Sequence, residues 1–231
     1  MKVLTINGQN HKGSTYHIGR ILAEKITTPE NIEEIFLPRD FDEFCCGCTK
    51  CFIEGADKCP HYAKLKSITE KIDAADVYIL TSPVYVYHCT GQMKALLDHY
   101  GYRWMPHRPE KAMFRKQSVV ITTAAGAGMK SACKDMDDSM FFWGIQRRFR
   151  YGLGIAATSW EEASEKKKAA IEKKTDSIAK KIKAYDGKMP YSFKSHFFFY
   201  IMRMFQKQEL NKLDAEHWKK QGWMGKERPW K

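Results

Sequence analysis

The sequence predicts an α/β fold, in which a doubly wound sheet of five parallel strands is covered by helices on both faces. Strand-like and helix-like segments alternate about five times before residue 185, the pattern of repeated strand–helix–strand units. Two strand-like segments, Val77–Leu80 and Ser118–Thr122, contain no charged residue, as expected for strands buried on both faces. The 231 residues, 43% of them hydrophobic, suffice for one full core.

The first half of the chain supplies three strands and three helices. Lys2–Ile6, Ile32–Leu37 and Val77–Leu80 are predicted to be the strands. Ser14 or Thr15 caps the first helix. The apolar residues of the three helices recur at helical spacing; they are Ile18, Ile21, Leu22 and Ile26, then Leu65, Ile68 and Ile72, then Met93, Leu96 and Leu97 after a Thr90 cap.

The second half completes the sheet and adds an extension. Ser118–Thr122 and Tyr151–Ala157 are predicted to be the last two strands, with helices over Ala132–Phe142 and Trp160–Tyr185. The segment Tyr191–Lys231 is rich in aromatic residues and has no strand-like run. We therefore predict an α/β domain over residues 1–185 and a mostly helical extension over residues 186–231.

Composition excludes several classes of protein. Charged residues make up 29% of the chain, an ordinary value that excludes a disordered chain and a disulfide miniprotein. No apolar run reaches the ~18 residues that a membrane span needs, and Met1 leads directly into a strand, so we expect a cytoplasmic protein. The net charge of +12 is compatible with nucleic acid, an anionic cofactor, an acidic membrane surface or a solvated basic surface.

Three loops follow predicted strands one, three and four: Gln9–Thr15, Ser82–Tyr87 and Thr123–Gly128. With strand order 2-1-3-4-5 they converge on one crevice at the carboxyl edge of the sheet. The first loop opens a helix, whose free N–H groups and dipole favour an anion. The second is apolar and aromatic, and the third is small. This combination suits a mononucleotide with a large planar ring.

These loops resemble those of a known family. The run Ile6-Asn7-Gly8, followed by His11-Lys12-Gly13-Ser14-Thr15, resembles the phosphate loop of the NADPH-dependent FMN reductases, which have a flavodoxin-like fold. Ser82-Pro83-Val84-Tyr85 and the helix Thr90–Asp98 are similar to that family's flavin-ring loop and the helix after it. The resemblance covers roughly residues 1–185. One departure is that Gln9 and His11 stand where members often carry Ser and Arg.

The resemblance implies bound FMN, NAD(P)H as electron donor, and a homodimer. Tyr85 and Tyr87 are expected to shape the pocket of a second acceptor, and no side chain is required as a catalytic acid or base because the flavin carries the chemistry. The residues expected to hold FMN are Gln9, His11, Gly13, Ser14, Thr15, Ser82, Pro83, Val84, Tyr85, Val86, Thr123, Ala124, Ala125 and Gly126.

Five of the seven cysteines lie between Cys45 and Cys59. The spacing Cys45-x2-Cys48-x2-Cys51 matches the start of a bacterial ferredoxin motif, and Cys59-Pro60 closes it. Thiolates this close can bind a [4Fe–4S] cluster or zinc, or remain reduced thiols. The segment also resembles that of the iron–sulfur flavoproteins, which implies these four cysteines as cluster ligands, although the last gap is longer than usual there.

The leading hypothesis is an FMN-dependent NAD(P)H oxidoreductase that reduces a quinone, free flavin or other small molecule. A flavin electron carrier without its own NAD(P)H turnover is the second, and a zinc- and nucleic-acid-binding module is the third. A further hypothesis is that five basic residues before the fourth strand attract the phosphates of the nicotinamide nucleotide; they are Arg103, Arg108, Lys111, Arg115 and Lys116.

Overall fold

The computed structural model describes residues 1–155, 157 and 159–231. Its centre is one parallel sheet in the order β2-β1-β3-β4-β5, which confirms the predicted topology. The strands are β1 Val3–Asn7, β2 Ile32–Phe36, β3 Val77–Pro83, β4 Gln117–Ala124 and β5 Arg147–Gly154.

Six helices connect the strands or follow β5 in the first part of the chain. Their bounds are α1 Ser14–Ile26, α2 Lys50–Ile53, α3 Tyr62–Ala74, α4 Gly91–Asp98, α5 Met129–Phe142 and α6 Glu165–Lys183. Helices α1 and α6 bury their apolar residues against one face of the sheet, and α3, α4 and α5 against the other. This two-sided arrangement is the predicted one.

Side chains that alternate along each strand face opposite sides of the sheet, and this divides the hydrophobic core into two parts. Tyr78 and Leu80 of β3 face the α3–α5 side, whereas Val77 and Ile79 face α1 and α6. Successive strand side chains point to opposite faces of a sheet, so a strand covered on both sides has to be apolar throughout. The continuous apolar run that predicted β3 therefore has a direct structural cause.

The C-terminal extension is helical and packs on the α/β domain. It contains α7 Phe193–Gln206 and α8 Lys212–Lys220. Phe199, Trp218 and Trp223 are buried against Met105 and Phe114 in a third hydrophobic cluster. Among the described residues, no helix is both long enough and apolar enough to cross a membrane. The domain division at residue 185 stays a prediction.

Two predicted elements were wrong at their boundaries. Strand β5 begins at Arg147 rather than Tyr151, because Arg148 and Arg150 pair with the buried carboxylate of Asp137 and so enter the sheet despite their charge. It ends at Gly154 rather than at the predicted Ala157; Ala156, within the predicted strand, lies outside the described residues. Helix α6 begins at Glu165 rather than Trp160.

Other differences are smaller. Pro83 is the last residue of β3, and β4 extends through Thr123 and Ala124, which were predicted to belong to the following loop. Helix α5 starts three residues before the predicted Ala132. Both strands are longer than their apolar runs because backbone pairing continues to the carboxyl edge, where Pro83 pairs with Thr123.

Most of the basic residues before β4 have structural partners. Arg103 is buried and donates two hydrogen bonds to the Asp73 carboxylate at 2.7 and 3.0 Å. Lys116 is also buried, and Arg108 is paired with Asp214. Because these cations are already engaged, the hypothesis that they attract nicotinamide phosphates is wrong for these three residues.

Lys116 makes stability depend on pH. Its ammonium group donates to the carbonyls of Ile72 and Asp73 at 3.0 and 2.7 Å, and burial lowers its pKa to about 8. Between pH 8 and the ordinary lysine pKa the unfolded chain binds the extra proton, so stability rises with pH in this window. Urea titrations of the wild type and of Lys116→Met measure this effect. The difference between their free energies of unfolding, wild type minus variant, should increase by about 2–3 kcal/mol from pH 8 to about 10.5. A difference that does not change with pH would contradict the lowered pKa of Lys116.

Candidate active site at the carboxyl edge of the sheet

The N-terminus of α1 opens onto the carboxyl edge of the sheet. Gly13 is the N-cap residue and no side chain caps the helix. The first intrahelical bond runs from the His17 amide to the Gly13 carbonyl at 3.1 Å, so the amides of the first turn have no partner within the helix. The positive end of the helix dipole and these amides form an anion site.

Hydrogen bonds hold the three loops together. The hydroxyls of Thr15 and Thr123 lie 2.5 Å apart, which joins the first loop to the end of β4. The Val84 amide donates to the Thr123 carbonyl at 2.9 Å, which joins the second loop to β4. The Thr90 hydroxyl donates to the Gly8 carbonyl at 2.7 Å. The three loops therefore converge as the strand order predicts, and hydrogen bonds connect them.

A crevice with a volume of about 190 Å³ lies between the loops and opens to solvent. Eight predicted residues line it: Gln9, His11, Gly13, Ser14, Thr15, Pro83, Tyr85 and Thr123. Four others that sequence reasoning missed also line it: Asn7, Tyr16, Thr81 and Ala157. Asn7 and Thr81 directly follow the predicted strands Lys2–Ile6 and Val77–Leu80, and the structure places them near the carboxyl ends of β1 and β3. That position is the signal that points to them.

The remaining predicted residues do not line this crevice. Ser82 is buried, and its hydroxyl accepts a hydrogen bond from the Thr90 amide at 2.9 Å, so it positions the loop. Val84 and Ala124 are half-buried, whereas Val86, Tyr87, Ala125 and Gly126 are exposed around it.

A tight turn projects from the second loop. Tyr85 and His88 pair through two backbone hydrogen bonds, and the two residues between them, Val86 and Tyr87, have φ angles of 47° and 69°. Two positive φ angles define a type I′ turn, which favours Asn and Gly. Val86 is 92% exposed. A β-branched residue in this conformation is strained.

Relief of this strain should stabilise the protein. Val86→Asn is expected to raise the free energy of unfolding by about 1 kcal/mol, because Asn tolerates the left-handed region. The thermal midpoint should rise by roughly 2–4 °C in calorimetry. Val86→Thr, which keeps the branched Cβ, is the matched control and should leave it nearly unchanged. A lower midpoint for the Asn variant would show that Val86 is not strained.

The cysteine segment forms a second cavity, separate from the crevice. The four predicted ligands, Cys45, Cys48, Cys51 and Cys59, all line it. Burial raises the pKa of the Cys51 thiol, and the neighbouring thiols of Cys59, Cys45 and Cys48 raise it further. Burial likewise raises the pKa of Cys59. The predicted ligands thus converge close enough to influence one another.

A histidine pair borders this cavity. The ligand atoms of Cys59, His61 and His99 lie within 4.8 Å of one another. Nδ1 of His99 donates to the Ala95 carbonyl at 2.7 Å, and the His61 Nδ1 and His99 Nε2 atoms are 2.9 Å apart. Burial lowers the pKa of His99. Because Nδ1 of His99 donates to the Ala95 carbonyl, Nε2 of the neutral His99 ring is the atom that can accept a hydrogen bond from Nδ1 of His61.

The extension holds the cysteine segment in place. Arg108 donates one hydrogen bond to the Cys51 carbonyl and another to the buried carboxylate of Asp214 on α8. Nδ2 of Asn211 donates to the Phe52 carbonyl at 3.1 Å. His107 contacts the other Asp214 oxygen at 2.8 Å. The extension thus reaches the second cavity through one buried ion pair.

The family model for NADPH-dependent FMN reductase matches residues 1–150. The chain belongs to this family. An iron–sulfur flavoprotein of Archaeoglobus fulgidus is 30% identical over 99 residues, 42% of this chain and 48% of that protein. Another from the same organism is 25% identical over 173 residues, 74% of this chain and 76% of that protein. The chain thus spans about half the length of the first relative.

A solved structure of a flavone reductase has the same fold. It matches 83% of this chain and 66% of its own, with a TM-score of 0.59 and 15% sequence identity. At this identity the likeness concerns the fold alone. The FMN reductase family match and the fold agree with the resemblance drawn from the three loops.

The crevice of this FMN reductase family member fits a phosphate group. The α1 N-terminus is uncapped, and Ser14 and Thr15 carry hydroxyls at its first two positions. The described lining contains no Lys or Arg, so the helix dipole and amides would balance the charge. The cysteine cavity fits a soft metal centre, since it offers four sulfur donors and a fifth thiol, Cys46.

Proposed function

We propose that this chain is an FMN-dependent NAD(P)H oxidoreductase that passes electrons to a second small-molecule acceptor, such as a quinone or free flavin. The observation that carries the proposal is the uncapped helix N-terminus at one end of a crevice whose three loops are bonded together. FMN supplies hydride and electron transfer when bound. The family match supports the same cofactor and donor.

The residues of the crevice divide into two groups by chemistry. Gly13, Ser14 and Thr15 offer amides and hydroxyls to a phosphate. Pro83, Tyr85 and Thr123, which lie at and just after the ends of the neighbouring strands β3 and β4, would contact a planar ring. The proposed ligand set also contains Gln9 and His11, which line the crevice. Six further members belong to the second and third loops: Ser82, Val84, Val86, Ala124, Ala125 and Gly126.

The acceptor and a second subunit are proposed to meet at the projecting turn. Tyr85, Val86 and Tyr87 are exposed together beside the crevice. Exposed apolar groups at the mouth of a site suit stacking of a flat acceptor, and their burial against a second copy of the chain would exclude water. A homodimer is therefore part of the proposal.

Rapid reduction by NADPH tests this function. FMN-loaded protein is mixed with NADPH without oxygen, and the flavin absorbance is followed in a stopped-flow instrument. We expect NADPH to reduce the flavin with a rate constant at least as large as the steady-state turnover number for quinone reduction. If only a ferredoxin-type donor reduces the flavin, the protein is an electron carrier and the proposed NAD(P)H oxidoreductase activity is rejected.

The four converging thiols favour a second candidate, in which flavin and a [4Fe–4S] cluster exchange single electrons. Iron and acid-labile sulfide analysis of anaerobically purified protein tests it. Four iron atoms per chain, lost in Cys48→Ser but kept in Cys133→Ser, would support the cluster, because Cys133 is buried elsewhere. Zinc, or no metal at all, would reject it.

A further inference from the structure

Helix α7 has a row of large apolar side chains that face solvent. Phe193, Phe197, Tyr200 and Met204 are 71%, 59%, 43% and 69% exposed. They recur every three or four residues, so they share one face of the helix. The opposite face is buried against the rest of the molecule through Ser195, Phe199 and Gln206. We call the four exposed residues the outward face of α7.

Such a surface needs a partner. Exposed apolar side chains occur singly on most proteins, but a continuous row marks a contact surface. Phe205 and Leu210 are also exposed, and an open groove of about 430 Å³ beside α7 is lined partly by Phe198, Met202, Phe205 and Leu210. The apolar surface therefore continues around the helix beyond the outward face.

The charged residues of α7 and its immediate flanks, from residue 188 to residue 208, are all basic. Lys194 and Lys207 are exposed on α7 and just after it, and helical geometry places them on opposite flanks of the row. Between residues 188 and 208 the chain has four basic residues and no Asp or Glu. An apolar row flanked by lysines is the pattern of a helix that lies in the interface of an anionic membrane.

We infer that the outward face of α7 docks on the surface of an anionic lipid membrane. The aromatic rings enter the boundary between headgroups and acyl chains. Lys207 extends its ammonium group to lipid phosphates, and Lys194, whose Nζ lies 4.6 Å from the centre of the Phe141 ring, exchanges that contact for a lipid phosphate. Each lysine near such a surface adds electrostatic attraction that salt screens. The helix lies along the membrane surface, with its axis parallel to it.

A second copy of the chain fits this face less well. Pairing two α7 helices about a twofold axis would bring Lys194 and Lys207 of each copy near those of the other. The carboxylate of Glu209 follows Lys207, but it is paired with Lys219 at 2.5 Å, and the remaining like charges oppose association. Anionic lipid satisfies the apolar row and the lysines together, so the charges favour the membrane.

Vesicle co-sedimentation tests the inference. The full-length protein is mixed at low salt with vesicles of phosphatidylcholine alone, or with phosphatidylglycerol added. We expect binding only to the anionic vesicles, reduced by added salt. Phe193→Ser/Phe197→Ser and Lys194→Glu/Lys207→Glu should each weaken binding at least about tenfold. Lys173→Glu/Lys174→Glu changes the same charge on the exposed face of α6 and should reduce binding far less.

Several outcomes would overturn the inference. They are absence of binding to anionic vesicles, equal loss in the α6 control, or a dimer that becomes monomeric in Phe193→Ser/Phe197→Ser by light scattering. The last outcome would assign the face to a second copy. The side chains replaced are exposed, so unchanged circular dichroism is expected. The test needs no flavin turnover, so its result is independent of the proposed oxidoreductase activity.

Discussion

Ser14→Glu should weaken FMN binding at least about a hundredfold while it stabilises the flavin-free protein. Ser14 is the first residue of α1, whose first turn carries no acidic residue. A carboxylate there interacts favourably with the helix dipole, by about 0.3–1 kcal/mol. The same carboxylate would repel the phosphate of FMN, and like charges in contact cost several kcal/mol. The two effects therefore have opposite signs.

Fluorescence titration with FMN and thermal unfolding without it measure both effects. Ser14→Gln is the matched control, since it has nearly the same shape but no charge. It should bind FMN about tenfold more weakly than the wild type because one hydroxyl donor is lost. Equal FMN affinity in the Glu variant would show that the phosphate does not lie at the α1 N-terminus.

Asp214→Asn should cost about 3 kcal/mol or more of stability. The Asp214 side chain is 2% exposed and contacts both Arg108 and His107. Removal of one partner of a buried ion pair leaves an uncompensated charge. The thermal midpoint is expected to fall by roughly 6–12 °C. Because Arg108 also binds the Cys51 carbonyl, the Cys51 thiol should react faster with Ellman's reagent.

Asp176→Asn is the matched control for this variant. Asp176 pairs with Lys25 at 2.7 Å, but its side chain is largely exposed, so its loss should cost less than about 1 kcal/mol. Unchanged thiol reactivity in Asp214→Asn, despite a lower midpoint, would contradict the role of α8 in holding the cysteine segment. That result would leave the ion pair a purely structural feature of the extension.

The sheet was predictable because its strands are buried on both faces. Val77–Leu80 has to be apolar throughout, and that run is visible in the sequence. The fifth strand was misplaced because Arg148 and Arg150 are neutralised by Asp137, a partner on α5 that sequence spacing does not reveal. The end of β4 also differed, since Thr123 and Ala124 continue the pairing with β5 beyond the apolar run that marks the strand in the sequence.

The candidate site was predictable in its loops more than in its individual residues. A strand followed by a loop and a helix start locates an anion site, and Ser14 and Thr15 lie where that pattern puts them. Whether the side chains of Asn7 and Thr81 point into the crevice, by contrast, depends on the pleat at the strand ends, which the sequence pattern does not fix. The role of Asp214 was not predictable, because it depends on contacts between segments over a hundred residues apart in sequence.

Calorimetric titration of flavin-free protein with FMN and with riboflavin tests the central claim most directly. The two ligands share the ring and differ in the phosphate. If the three loops form the flavin site with the phosphate on the α1 N-terminus, FMN should bind one per chain and at least about a hundredfold more tightly than riboflavin. Equal affinity for the two ligands, or no binding of either, would contradict it.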